Sequence, residues 1–162
     1  MTSGFALPAN LDEHLQVSRR IYSVGYEGLD VKGLVERLVS ARVTLVVDVR
    51  LNAVSRRPGF SKKALSAELE AVGIRYRHDA ALGNPLDNRD SFRKGDGKEG
   101  RRRMREMLEN GSGPALKQLV DDARDNRVAV LCVERGPMQC HRQVITEMAQ
   151  EVDSTINVLQ IL

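Results

Sequence analysis

The 162 residues carry 25 basic and 22 acidic side chains, a formal charge of +3, with 41% hydrophobic and 29% charged residues. That length and balance fit one globular domain and exclude a wholly disordered chain. No apolar run reaches the ~18 residues of a membrane-spanning helix, and three Phe, three Tyr and no Trp are too few for a platform that stacks single-stranded nucleic acid.

The first 20 residues lack the basic start and apolar stretch of a secretory signal and read as an N-terminal extension to a single domain over 21–162. Two cysteines make no disulfide framework, so a reducing cytoplasm is the expected compartment and no membrane partner is expected. The run Ile21–Gly25 predicts a first strand. Asp30 then caps a helix with Val31, Leu34, Val35, Leu38 and Val39 on one face. Thr44–Val49 is almost continuously apolar, as in a strand covered on both faces. Ser61 opens a second helix that ends before Gly73, a residue suited to the left-handed position after a helix. Ile74–His78 alternates apolar and polar and predicts a strand nearer an edge.

Residues 79–100 hold five Gly or Pro, many charges and no period, which predicts a long mobile loop or lid, most mobile over 84–100. Helical spacing returns at Arg101–Glu109 and again from Pro114. Val128–Val133 is the most buried strand by composition. Gln139–Gln150 predicts a further helix, and Thr155–Leu162 a last strand. Strands alternating with helices imply an α/β fold: a three-layer αβα sandwich on a mainly parallel sheet of about five strands.

In such sheets ligands bind beyond the carboxyl ends of the strands, so the residues that follow each strand are the ones to inspect. They are Tyr26 and Glu27, then Asp48, Arg50 and Arg57, then Glu134, Cys140, His141 and Arg142. Cys140 reads either as a helix-start thiol with a lowered pKa, hence a nucleophile, or as a small buried hydrophobe. His141 is a general acid or base, or a histidine that satisfies a loop carbonyl. Arg142 holds a phosphate at the helix start, or pairs with Asp48 or Glu134. Asp48 interrupts an apolar strand and needs a partner; Arg50, two residues on, shares its face. Cys132 reads as core. No second Cys/His pair at zinc spacing accompanies Cys140-His141, and no phosphate-binding glycine fingerprint occurs, so neither a metal nor a cofactor is expected.

The stretches SVGYEGLDVKGLVERL, LVVDVRLNAVSRRPGFSKKALSAEL, GIRYRHDAALG and VAVLCVERGPMQCHRQVI resemble, in order and spacing, the domain of unknown function 488 family. The family's motifs fall on Gly25-Tyr26-Glu27, Asp48-Val49-Arg50, Pro58-Gly59-Phe60-Ser61, and Cys132 with Glu134 and Cys140-His141-Arg142. The resemblance supports the fold and adds weight to Glu134, Cys140, His141 and Arg142, and it implies no substrate.

Three functions follow as expectations. The first is an enzyme acting on a nucleotide, nucleic acid or other phosphorylated ligand. Cys140, His141, Glu134, Asp48 and Glu27 would do the chemistry, and Tyr26, Arg50, Arg57 and Arg142 would bind the anion. The second is a thiol or sulfur-transfer enzyme using Cys140, loosely similar to rhodanese. The third is a non-catalytic binding module gripping nucleic-acid phosphates through Arg101-Arg102-Arg103 and Arg105. On the first reading all the strand-end residues should line one concave site.

Overall fold

A computed structural model describes residues 19–94 and 97–162; the extension expected over the first 20 residues lies almost wholly outside them. Five strands, β1 (Arg20–Gly25), β2 (Leu45–Asp48), β3 (Arg75–His78), β4 (Val128–Cys132) and β5 (Asn157–Ile161), form one sheet in the order β3-β2-β4-β1-β5. Every pairing is parallel. Parallel neighbours need crossovers, and the helices supply them. The described residues hold six, α1 (Val31–Ser40), α2 (Lys62–Glu70), α3 (Arg89–Arg93), α4 (Lys98–Asn110), α5 (Gly113–Asp125) and α6 (Arg142–Val152).

Side-chain parity divides the core into two layers. Val46, Ala129, Leu131, Tyr22 and Val24 pack against Leu34 and Leu38 of α1 and Leu65 and Leu69 of α2. Val47, Val128, Val130 and Ile21 pack against Met104 and Leu108 of α4, Leu119 and Val120 of α5, and Val144 and Ile145 of α6. Val46, Val47, Val130 and Leu131 are fully buried, as expected for neighbouring central strands without alternation. β3 lies at one edge and β5 at the other. Asp30 caps α1, its carboxylate accepting from the Gly33 amide at 2.7 Å.

Two expectations need correction. The segment 79–100 is not a structureless loop. It carries short 3-10 turns at Ala80–Leu82 and Leu86–Asn88, then α3 and the first turn of α4; positions 95 and 96 lie outside the described residues. Three anchors hold it. Leu82 and Phe92 are buried, and buried Asn88 donates to Asn84 Oδ1 and the Gly100 carbonyl, both at 3.0 Å. Gly100 has no side chain because the Phe92 ring would lie 2.8 Å from its Cβ. Nor does the last helix begin at Gln139. A 3-10 turn, Pro137–Gln139, leads to an extended Cys140, and α6 starts at Arg142 with His141 as its N-cap. Cys140 therefore stands outside the first helical turn, whose free amides were expected to act on its thiol.

Candidate functional site

All five strands run parallel, so their carboxyl ends share one rim. The parity that divides the core also divides the rim residues into two groups, one on each face of the sheet.

On the α1–α2 face, Asp48 is fully buried at the end of β2 and Arg50 is 4% exposed. Arg50 Nη2 donates to Asp48 Oδ2 at 2.6 Å and Nε to Oδ1 at 2.9 Å. Its Nη1 donates to the Phe60 carbonyl at 2.7 Å and to the Tyr26 hydroxyl at 3.2 Å. Tyr76 donates its hydroxyl to Asp48 Oδ2 at 2.5 Å. Burial opposes the Arg50 charge, but the Asp48 hydrogen bonds and charge outweigh it and raise its pKa further. Burial, then the hydrogen bond to Asp48 and its charge, push the Tyr76 phenol well above the usual range. Tyr26 stacks on Phe60 with centroids 4.2 Å apart. Arg57 lies 5.0 Å over the Phe60 ring and donates to the Tyr26 and Leu29 carbonyls. Tyr26, Asp48, Arg50 and Arg57 thus form a braced knot that fixes the ends of β1 and β2.

On the α4–α6 face, the end of β4 and the start of α6 converge. Cys132 and Cys140 are free and buried, and His141 is 5% exposed. The loop between them folds back on the sheet, so one sulfur or ring nitrogen from each of Cys132, Cys140 and His141 lies within 4.8 Å of the others. Cys140 Sγ is 3.6 Å from His141 Nδ1, and Cys132 Sγ donates to Glu134 Oε2 at 3.2 Å. His141 Nε2 lies 2.9 Å from the Val49 carbonyl. A carbonyl only accepts, so Nε2 carries a proton, and Nδ1 is the ring atom that faces Cys140. The hydrogen bond with Cys140, together with burial, pushes the Cys132 thiol up. Burial opposes the Glu134 carboxylate, yet hydrogen bonds from its own backbone and from the two thiols hold its pKa below the usual value.

Above this cluster lies a cavity of about 280 Å³, lined by Cys132, Val133, Glu134, His141, Arg50 to Asn52, Val54, Asn84, Leu86, Arg89 and Arg93. A more open trough of about 740 Å³ runs along α2 and β3, away from this chemistry. Arg89 and Arg93 lie one helical turn apart on α3 and are exposed, with no ion-pair or hydrogen-bond partner among the described residues. Val54, at 77% exposed, and Leu86, at 63%, stand beside them.

The residues expected to share one concave site are therefore only partly brought together. Arg50, Glu134 and His141 line the cavity. Asp48 is sealed beneath, and Cys140 is 2% exposed behind His141. Glu27 is exposed and accepts from the Arg135 amide at 3.1 Å. Arg142 is fully buried; its Nη2 donates to the Arg135 carbonyl at 3.5 Å, and its Nε and Nη1 find no hydrogen-bond partner among the described residues. It packs against Gly25, where a Cβ would sit 2.6 Å from Nη1 and 1.8 Å from the Glu134 carbonyl oxygen. Cys132 lies in the core, as expected, and the same residue also borders the cavity. Arg89 and Arg93 are not among the expected site residues; their i, i+4 spacing is the sequence signal that puts them on one helix face.

No helix among the described residues is long and apolar enough to cross a membrane. A comparison with curated proteins and with solved structures finds no match. A family model described as "Domain of unknown function DUF488" matches residues 30–149, which span α1 to α6 and include both faces of the rim, and the chain belongs to that family.

Proposed function

We propose that the protein is an enzyme acting on a phosphorylated ligand, a nucleotide foremost, held in the strand-end cavity. One observation carries this reading. Two arginines without a partner among the described residues, Arg89 and Arg93, line the cavity with Glu134, His141 and Cys132. Arginine recognises phosphate oxygens in a bidentate way. Exposed Val54 and Leu86 at the same mouth suit the flat apolar face of a base. Glu134, half-buried and facing the cavity, is placed to accept a proton from a bound ligand or water. Free, buried cysteines suit a reducing compartment, and we assign the protein to the cytoplasm.

The other two expectations have less support. A thiol enzyme working through Cys140 needs that sulfur accessible, and it is 2% exposed. A nucleic-acid grip through the arginine run needs free charge. Arg102 is bound to Glu99 and Glu106, Arg103 to Asp87, and Arg105 to Glu151.

The test is a thermal-shift screen of the whole protein with nucleotides, phosphosugars and inorganic phosphate, followed by phosphorus NMR of each hit to detect turnover. A ligand at about 100 times its Kd adds about 2.7 kcal/mol, a clear rise in Tm. A panel in which no phosphorylated compound shifts Tm would overturn the reading.

A further inference from the structure

We propose that Cys132, Cys140 and His141 form a binding site for a zinc-class divalent metal ion, with Glu134 closing the fourth corner on the cavity side. The inference goes beyond the ligand reading and does not depend on it.

Four observations support it. First, the donor set is two sulfurs and an imidazole nitrogen, which suits zinc-class ions and recurs at catalytic zinc centres. Second, one edge of the donor triangle already has the length an ion would set, and all three donors lie within 4.8 Å of one another. Bonds of about 2.3 Å to sulfur and about 2.05 Å to nitrogen, at the tetrahedral angle, place S and N about 3.6 Å apart. Cys140 Sγ and His141 Nδ1 are 3.6 Å apart. Glu134 Oε2 lies 3.2 Å from Cys132 Sγ but outside the 4.8 Å cluster of the other three donors, so its carboxylate must swing inward to take the fourth corner. Third, the imidazole is held as a ligand should be. Its Nε2–H is spent on the Val49 carbonyl, which orients the ring and leaves Nδ1 to face Cys140. Fourth, the charge closes. Two thiolates and a carboxylate carry three negative charges. A divalent ion cancels two, and the fully buried Arg142 guanidinium, next in the chain to His141, supplies one more.

Spacing along the chain does not bring these donors together, whereas the fold does. Cys132 comes from the end of β4 and Cys140-His141 from the turn before α6, and the loop between them brings the two ends together. Binding replaces the two thiol protons, which leave to solvent, so no oxidant or reductant is involved.

The experiment is titration of the reduced, metal-stripped full-length protein with cobalt(II) alone, read by absorption and by elemental analysis of the desalted complex. The expected result is one cobalt per chain, with thiolate-to-metal charge transfer and the visible bands of a tetrahedral site, displaced by zinc. The variants C132S and C140S each lose affinity by about a hundredfold or more, while E134Q moves the visible bands and keeps the charge-transfer absorption. Circular dichroism of each stripped variant confirms that it is folded. Should a variant unfold, the wild-type spectrum still decides. Reduced wild-type protein that takes up no cobalt, or takes it up without thiolate charge transfer, overturns the proposal. So does a folded C132S/C140S double variant that binds as the wild type does.

Discussion

Replacing Asp48 by Asn probes the knot at the end of β2 with almost no change in volume. Asp48 is fully buried and accepts from Arg50 Nε and Nη2, the Arg50 amide and the Tyr76 hydroxyl. The amide turns one acceptor into a donor and removes the countercharge, so Arg50 keeps at most one oxygen at position 48 beside the Phe60 carbonyl and the Tyr26 hydroxyl, all of them uncharged. Breaking a buried ion pair from one side costs about 3–5 kcal/mol, because the remaining charge stays buried. With a urea m-value of about 2 kcal/mol/M, the midpoint of unfolding falls by about 1.5–2.5 M. Urea melts followed by circular dichroism measure this directly. The double variant D48L/R50M carries no uncompensated charge and should be more stable than D48N. A D48N protein within about 1 kcal/mol of wild type would refute the claim that this pair braces the rim.

Gly25→Ala drives a Cβ into the Glu134 carbonyl; a loss of about 1–3 kcal/mol or more is expected, seen as a lower Tm. Tyr76→Phe removes a hydrogen bond to a carboxylate from a half-exposed hydroxyl, and about 1 kcal/mol is expected in urea melts near pH 8. Because the folded phenol pKa is raised, its contribution is complete below the unfolded value of about 10 and is lost as pH climbs through the folded one. The gap between wild type and Y76F should therefore narrow above pH of about 10; a constant gap would deny the coupling. Asp30→Ala removes the cap on the Gly33 amide and should cost about 1 kcal/mol by the same melts.

The fold was legible where one physical signal dominates. β2 and β4 are apolar on both faces, and the alternation in β3 marks an edge. The Asp48–Arg50 pair was legible too, because residues two apart on an extended strand share a face. The region from Ala80 to Arg93 was not. Two 3-10 turns and a five-residue helix are too short to show a period, and their anchors, Asn88 and Phe92, are buried through contacts with Gly100 and its neighbours rather than by any local pattern. Cys132 is core, as its apolar strand implies, but nothing local in that strand shows what it faces. Its parity, shared with Val128 and Val130, turns it toward the face where the loop returns Cys140 and His141. The same parity puts Asp48 at the end of β2 on the opposite face of the sheet from Cys132 at the end of β4.

The central claim is that the strand-end cavity takes an anionic ligand through Arg89 and Arg93. Calorimetric titration of the best phosphorylated compound into wild type and into an R89A/R93A variant tests it most directly. Each lost charged hydrogen bond is worth about 1.5–3 kcal/mol, reduced here because both side chains are exposed, so affinity should fall at least about tenfold while Tm stays within a few degrees. An R89A/R93A protein that binds the compound as tightly as wild type would contradict the account.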